Sequence, residues 1–303
     1  MRTGSRDVPR TTFAIVHGAG GSAWEWHLVR AELIARGHDV VAVDLPGDDE
    51  SAGLEQYAET VVAAVNAATG SAGAGAASGG DGAGSATGAA GFGNVTGAAG
   101  SRTAPGDVVL VAHSLGGFVA PLVAARIPVR RLVLVAAMVP APGETAGEWW
   151  ETSGYRAAVG ERDAAHDDGA GRDDRAGHDD ASRDDDAGVD RAGADEDPRA
   201  AEIATFMHDL DPALAAEALR RSRDQAGRVM SEPWPLSAWP DVPTSFLLLA
   251  DDRVFPPSFL RGLARERLGV EADEMPGSHC AYLSRPAELA ERLVAYAELP
   301  SRR

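Results

Sequence analysis

The chain has 303 residues, 44% of them hydrophobic and 24% charged, enough apolar material for a sizeable buried core. Its formal net charge is −18 and its pI near 4.8, which argues against binding nucleic acid or an anionic membrane through a basic surface. No lysine occurs, so Schiff-base chemistry and a phosphate-loop lysine are excluded; the single cysteine, Cys280, rules out an internal disulfide and a cysteine-rich zinc site.

A lone cysteine fits a reducing compartment, and a cytoplasmic location is expected. The first residues, MRTGSRDVPRTT, contain no apolar h-region, so no secretory leader is expected in them. No apolar run approaches the ~18 residues of a membrane helix.

In chain order, FAIVH (13–17) reads as a short strand. WEWHLVRAELIAR (24–36) has apolar residues at helical spacing and stops at Gly37, a C-terminal cap glycine. DVVAVDL (39–45) is a buried strand that ends in the turn PGDD, and Leu54–Ala68 a helix. VVLVA (108–112) is a strand and Leu115–Arg126 a helix; RLVLVAAMV (131–139) and TSFLLLA (244–250) are strands. Ser258–Arg267 reads as a helix, VEADEM (270–275) as a weaker strand, and Pro286–Ala297 as a closing helix with proline at its first position. Strands that are apolar throughout and alternate with helices predict an α/β fold whose mostly parallel sheet is covered on both faces.

Two stretches interrupt this alternation. Residues 70–104 are almost entirely Gly, Ala and Ser; residues 161–199 hold fifteen acids against six arginines and almost no large apolar residue. Neither buries enough apolar surface to offset the entropy of ordering, so both are expected to be disordered insertions in a single domain over 1–303. The acidic tract lacks the spacing of a calcium loop, and no metal site is expected.

Ala112-His113-Ser114-Leu115-Gly116 places a serine between a buried strand and an apolar helix, with small residues two before and two after it. That is the pattern of a nucleophile elbow: a sharp strained turn lifts the hydroxyl above the sheet. The Leu115 N–H then lies at a helix N-terminus, where a developing negative charge is favoured.

The chain resembles the α/β-hydrolases, and within them the esterase, methylesterase and hydroxynitrile-lyase branch. The likeness is carried by HGAGGSAWEW (17–26), GHDVVAVDLPG (37–47), AHSLGG (112–117), DDRVFPP (251–257) and GSHCAYLSRP (277–286). It implies a sheet of about six strands, beginning at the family's third strand, flanked by helices. His279 stands between the last strand and the last helix, where the family places its base. The acid should follow TSFLLLA, and of the adjacent Asp251 and Asp252 the latter is preferred, because Pro256 lies four residues after it as in the family pattern. Ser114, Asp252 and His279 then form a triad in the α/β-hydrolase order. The likeness also implies a second oxyanion donor in the N–H of Ala19, beside that of Leu115.

Residues 140–240 leave the sheet and return, and are expected to form a small helical cap. Its Trp149 and Trp150, with Gly18, Trp24, His113 and Cys280 of the strand-end motifs, are expected to line the substrate pocket. His27 and His38 are read as surface residues. The hydroxynitrile lyases of the branch imply a threonine after the first motif's histidine and a lysine after the base, where this chain has Gly18 and Cys280. The expected activity is therefore hydrolysis of a small, largely apolar carboxylic ester through an acyl-enzyme, with no cofactor and with neither nucleic acid nor membrane as partner, the oligomeric state being left open. Perhydrolysis, C–C cleavage, acyl transfer, cyanohydrin cleavage and receptor-like ligand binding remain the alternatives.

Overall fold

The computed structural model describes residues 10–70, 107–160 and 197–300. Six parallel strands form one sheet: β1 (Thr12–Val16), β2 (Asp39–Ala42), β3 (Val108–His113), β4 (Arg131–Val135), β5 (Thr244–Leu249) and β6 (Ala272–Met275), in the order β2-β1-β3-β4-β5-β6. Every residue of β1, β3 and β4 is buried, as expected of strands packed on both faces. Helix α1 (His27–Ala35), which follows a 3-10 turn over Ala23–Trp26, packs on the closing helix (Pro286–Glu298). Helix α2 (Leu54–Thr69) packs on α3 (Gly116–Ala124). Leu54, Tyr57, Ala58, Val61 and Val65 make the buried stripe of α2, and Gly70 ends it at φ 74°.

The strand order reverses between β1 and β3. The chain leaves β1 for the edge strand β2 and returns to the other side of β1 as β3, with Thr12 opposite both Asp39 and Val108. Connections at the carboxyl ends of β1 and β3 therefore diverge, and they open the crevice where α/β sheets place their ligands.

Three expectations need correction. Strand β4 stops at Val135, short of Val139, because Ala136 turns to φ 41°. The chain then leaves the ladder, and the Met138 N–H donates to the Ser114 carbonyl at 2.9 Å. His38 is buried, edge-on to Phe13 at 5.3 Å, because the turn after α1 folds it back under β1. The acidic tract ends sooner than expected: Asp197 caps a helix over Pro198–Phe206 and accepts the Arg199 N–H. The rest of the two expected insertions, 71–104 and 161–196, lies outside the described residues.

Between β4 and β5 the regular elements among the described residues are all helices, joined by loops: α4 (Ala146–Thr152), α5 (155–160), α6 (Pro198–Phe206), α7 (Pro212–Arg221) and α8 (Gly227–Ser231). Beyond β5 come α9 (Pro257–Leu268), the short α10 (Ala281–Ser284) and the closing helix α11 (Pro286–Glu298). No helix among the described residues is long and apolar enough to cross a membrane.

Candidate active site

Ser114 follows the last residue of β3 at φ 49°, a left-handed conformation that costs a non-glycine residue about 1–2 kcal/mol. The turn is possible because its neighbours lack side chains. A Cβ on Gly116 would lie 2.6 Å from the Val16 carbonyl oxygen, and one on Gly117 would lie 1.9 Å from that of Met138. On the opposite lip, a Cβ on Gly18 would stand 2.9 Å from the Ser114 Cβ. The loop after β1 and the elbow after β3 thus meet at the switch point.

His279 sits in the loop between β6 and α10. Its Nδ1 is 2.8 Å from Asp252 Oδ2. The other Asp252 oxygen accepts the N–H groups of Val254 and Phe255, at 2.8 and 3.0 Å, so the carboxylate has one orientation. Asp251 points elsewhere: it accepts the Gly277 N–H at 2.9 Å and is exposed. Phe255 and Phe206 stand edge-on to the His279 ring, 5.3 and 5.6 Å away.

Two other histidines support this frame. The His113 Nε2–H donates to the His279 carbonyl at 3.1 Å, and burial, with His279 close by, pushes the His113 pKa well below its usual value. His17 is also buried. Its Nδ1–H donates to the Gly18 carbonyl at 2.8 Å and its Nε2 accepts the Leu45 N–H at 3.1 Å, while burial lowers its pKa to about 4. Each ring is therefore a neutral strut at neutral pH.

Ser114 and His279 line one cavity of about 230 Å³. Of the residues expected around it, Gly18, Ala19, His113, Trp150 and Cys280 line it. Trp149 does not: it is fully buried, its indole N–H bound to the Val139 carbonyl and its ring packed on Phe255 and Phe259. Trp24 also lies elsewhere, stacked on His27 beneath the Arg221 guanidinium. Leu115 is buried behind the elbow, where only its backbone is relevant. The Cys280 thiol accepts from the Tyr282 hydroxyl at 3.2 Å, and burial pushes its pKa far up, so it is no nucleophile.

Residues not expected from the sequence complete the site. Asp209, between α6 and α7, accepts the Ser278 N–H at 3.0 Å and the Ser284 hydroxyl at 2.8 Å, pinning the loop that carries His279. Beside it, the His208 Nε2–H donates to the Asp251 carbonyl at 2.9 Å. Nothing in local spacing marks these residues, because they act across about seventy and forty residues of chain. Glu25 lines the cavity as well, and burial raises its carboxyl pKa to about 7. Its signal was available in HGAGGSAWEW, as the one acidic residue of that motif. Among the described residues no group of histidines, cysteines and carboxylates is placed to hold a metal ion.

A parallel sheet with a serine elbow at its switch point and a histidine–carboxylate pair across the crevice defines the α/β-hydrolase class. A family model described as "Alpha/beta hydrolase family" matches residues 13–292, and the chain belongs to that family. Among curated proteins it is similar to the probable esterase PIR7A of Oryza sativa subsp. indica, 32% identical over 145 residues, 45% of this chain and 42% of that protein. It is also similar to methylesterase 7 of Arabidopsis thaliana, 31% identical over 137 residues, 42% of this chain and 40% of the relative. The matched region thus spans about two-fifths of the length of these relatives. Among solved structures, polyneuridine aldehyde esterase is 17% identical with a TM-score of 0.62, covering 95% of this chain and 100% of that one. At that identity the likeness is one of fold.

Proposed function

We propose that this chain is a serine hydrolase that cleaves a small, largely apolar carboxylic ester. The observation that carries this reading is the strained Ser114 facing the same cavity as His279, whose far nitrogen is held by Asp252. In this reading Asp252 keeps the His279 proton on Nδ1, leaving Nε2 free to take the Ser114 hydroxyl proton. Ser114 Oγ attacks the ester carbonyl, and the negative oxygen is received by the N–H groups of Ala19 and Leu115. Neither N–H has a hydrogen-bond acceptor among the described residues. The proton then passes from His279 to the leaving alcohol, and water repeats the sequence on the acyl-enzyme. The aromatic walls and the modest volume favour a small substrate. The named esterase and methylesterase relatives support ester hydrolysis in general terms.

The helices between β4 and β5 are taken as the cap in this proposal, since α6 brings Phe206 and Met207 to the cavity. A cytoplasmic setting belongs to the same proposal and rests on the single cysteine. The test is labelling by a fluorophosphonate, alongside multiple-turnover hydrolysis of p-nitrophenyl acetate and butyrate. The expected result is one labelled residue, Ser114, with labelling and turnover both lost in Ser114→Ala. Labelling that persists in that variant overturns the reading, and ligand binding without turnover would favour a receptor-like role.

A further inference from the structure

The cavity holds a carboxyl group for which ester hydrolysis has no use. Glu25 lies in the 3-10 turn after the β1 loop, three residues beyond Ser22, and the Ser22 N–H bears on its carboxylate as in half of a capping box. Capping needs only a carboxylate at the surface. This one turns inward, where it meets the Tyr282 hydroxyl and lines the same cavity as Ser114.

The groups facing it come from four elements. Tyr282 and Cys280 approach from α10, His113 from the end of β3, His17 from the loop after β1, and Asp44 from the loop after β2. None of these is a cation at neutral pH, and Glu25 has no ion-pair partner among the described residues. The described lining contains no arginine, and a second carboxylate, Glu202, stands one helical turn before Phe206 on α6. Trp150, Phe206, Phe255 and Tyr282 give the cavity aromatic faces. A carboxylate among aromatic faces in a poorly solvated site is the chemistry that recognises an ammonium group.

We propose that Glu25 is a specificity-determining residue that, with these aromatic walls, selects small esters carrying a positively charged ammonium group over neutral esters of the same shape. This rests on the ester-hydrolase reading of the same cavity and narrows its small, largely apolar esters to those that carry one cationic group. Because burial holds the Glu25 pKa near 7, the free carboxyl is more fully ionised at pH 8 than at pH 6. Selection for the cation should therefore strengthen across that interval.

Choline acetate and 3,3-dimethylbutyl acetate are a matched pair that differ in one positive charge. Each kcat/KM on the full chain is divided by the uncatalysed rate of that ester, and the ratio of the two is read at pH 6 and pH 8. The wild type should favour the charged ester by about tenfold or more at pH 8, chiefly through KM, and by less at pH 6. Glu25→Gln should bring the ratio to about one at both pH values. Comparing two esters on one enzyme cancels any general damage from the substitution, and if the variant does not fold the wild-type ratio at the two pH values decides alone. A wild-type ratio of one or below, a ratio that does not rise with pH, or a ratio unmoved by Glu25→Gln overturns the proposal. If p-nitrophenyl acetate is hydrolysed in that case, the proposal falls and the esterase reading stands. If no ester is hydrolysed, the esterase reading falls, and calorimetry with choline against 3,3-dimethylbutanol decides the proposal instead. Choline binding weakened about fivefold or more by Glu25→Gln upholds it, and equal binding of the two ligands overturns it.

Discussion

His279 Nδ1 lies 2.8 Å from Asp252 Oδ2, while the adjacent Asp251 carboxylate binds the Gly277 N–H instead. Two neighbouring acids thus have separate tasks, one on the imidazole and one on the backbone of the loop that carries it. Asp252→Asn should lower kcat for p-nitrophenyl acetate by about 10³–10⁴-fold through the wrong imidazole tautomer. Asp251→Asn keeps an acceptor oxygen and should cost less than tenfold. Steady-state kinetics on both variants, with melting curves to confirm folding, check this; the reverse ranking would refute the assignment of the acid.

The elbow depends on backbone contact at Gly117. With a Cβ there only 1.9 Å from the Met138 carbonyl oxygen, Gly117→Ala must push apart α3 and the segment after β4, at a cost of about 2–3 kcal/mol. Gly262, inside α9, has nothing within 4 Å of an added Cβ. Gly262→Ala should instead stabilise the protein by about 0.5–1 kcal/mol through helix propensity. Urea unfolding of the two variants should show shifts of opposite sign.

Acid should weaken the protein through His17. Its pKa falls from the usual 6.5 to about 4 on folding, so the native state binds fewer protons than the unfolded chain between those values. Its contribution is whole above pH 6.5 and declines as the pH falls toward 4, by about 3 kcal/mol in all. His17→Gln should be less stable than wild type at pH 7, with the difference narrowing at pH 4. A difference that stays constant with pH would show that His17 is not held neutral.

Arg267 on α9 pairs with the buried Glu144, Nη1 to Oε2 at 2.5 Å, and also binds the Val139 carbonyl, tying the segment after β4 to α9. Their side chains are only 14% and 6% exposed. Arg267→Met should cost about 3–5 kcal/mol, because Glu144 stays buried without its partner. The double variant Arg267→Met/Glu144→Leu should recover part of that loss, as a double-mutant cycle in urea would measure.

The sequence by itself determined the alternation of strands and helices, the parallel sheet and the elbow. These are local matters: the apolar runs of β1, β3 and β4 permit only doubly covered strands, and glycines at 116 and 117 mark a turn that side chains would block. His279 and the Asp251/Asp252 pair were legible through family motifs, and the spacing to Pro256 favoured Asp252 without fixing which acid faces the ring. Only the tertiary structure decided that, because β5 and β6 must pair before the loops beyond them meet. It also decided that Trp149 belongs to the core and Trp150, its neighbour, to the cavity, since adjacent residues of a helix point about 100° apart. Asp209 and the inward turn of Glu25 are of the same kind: their partners are distant in sequence, so no periodicity records them.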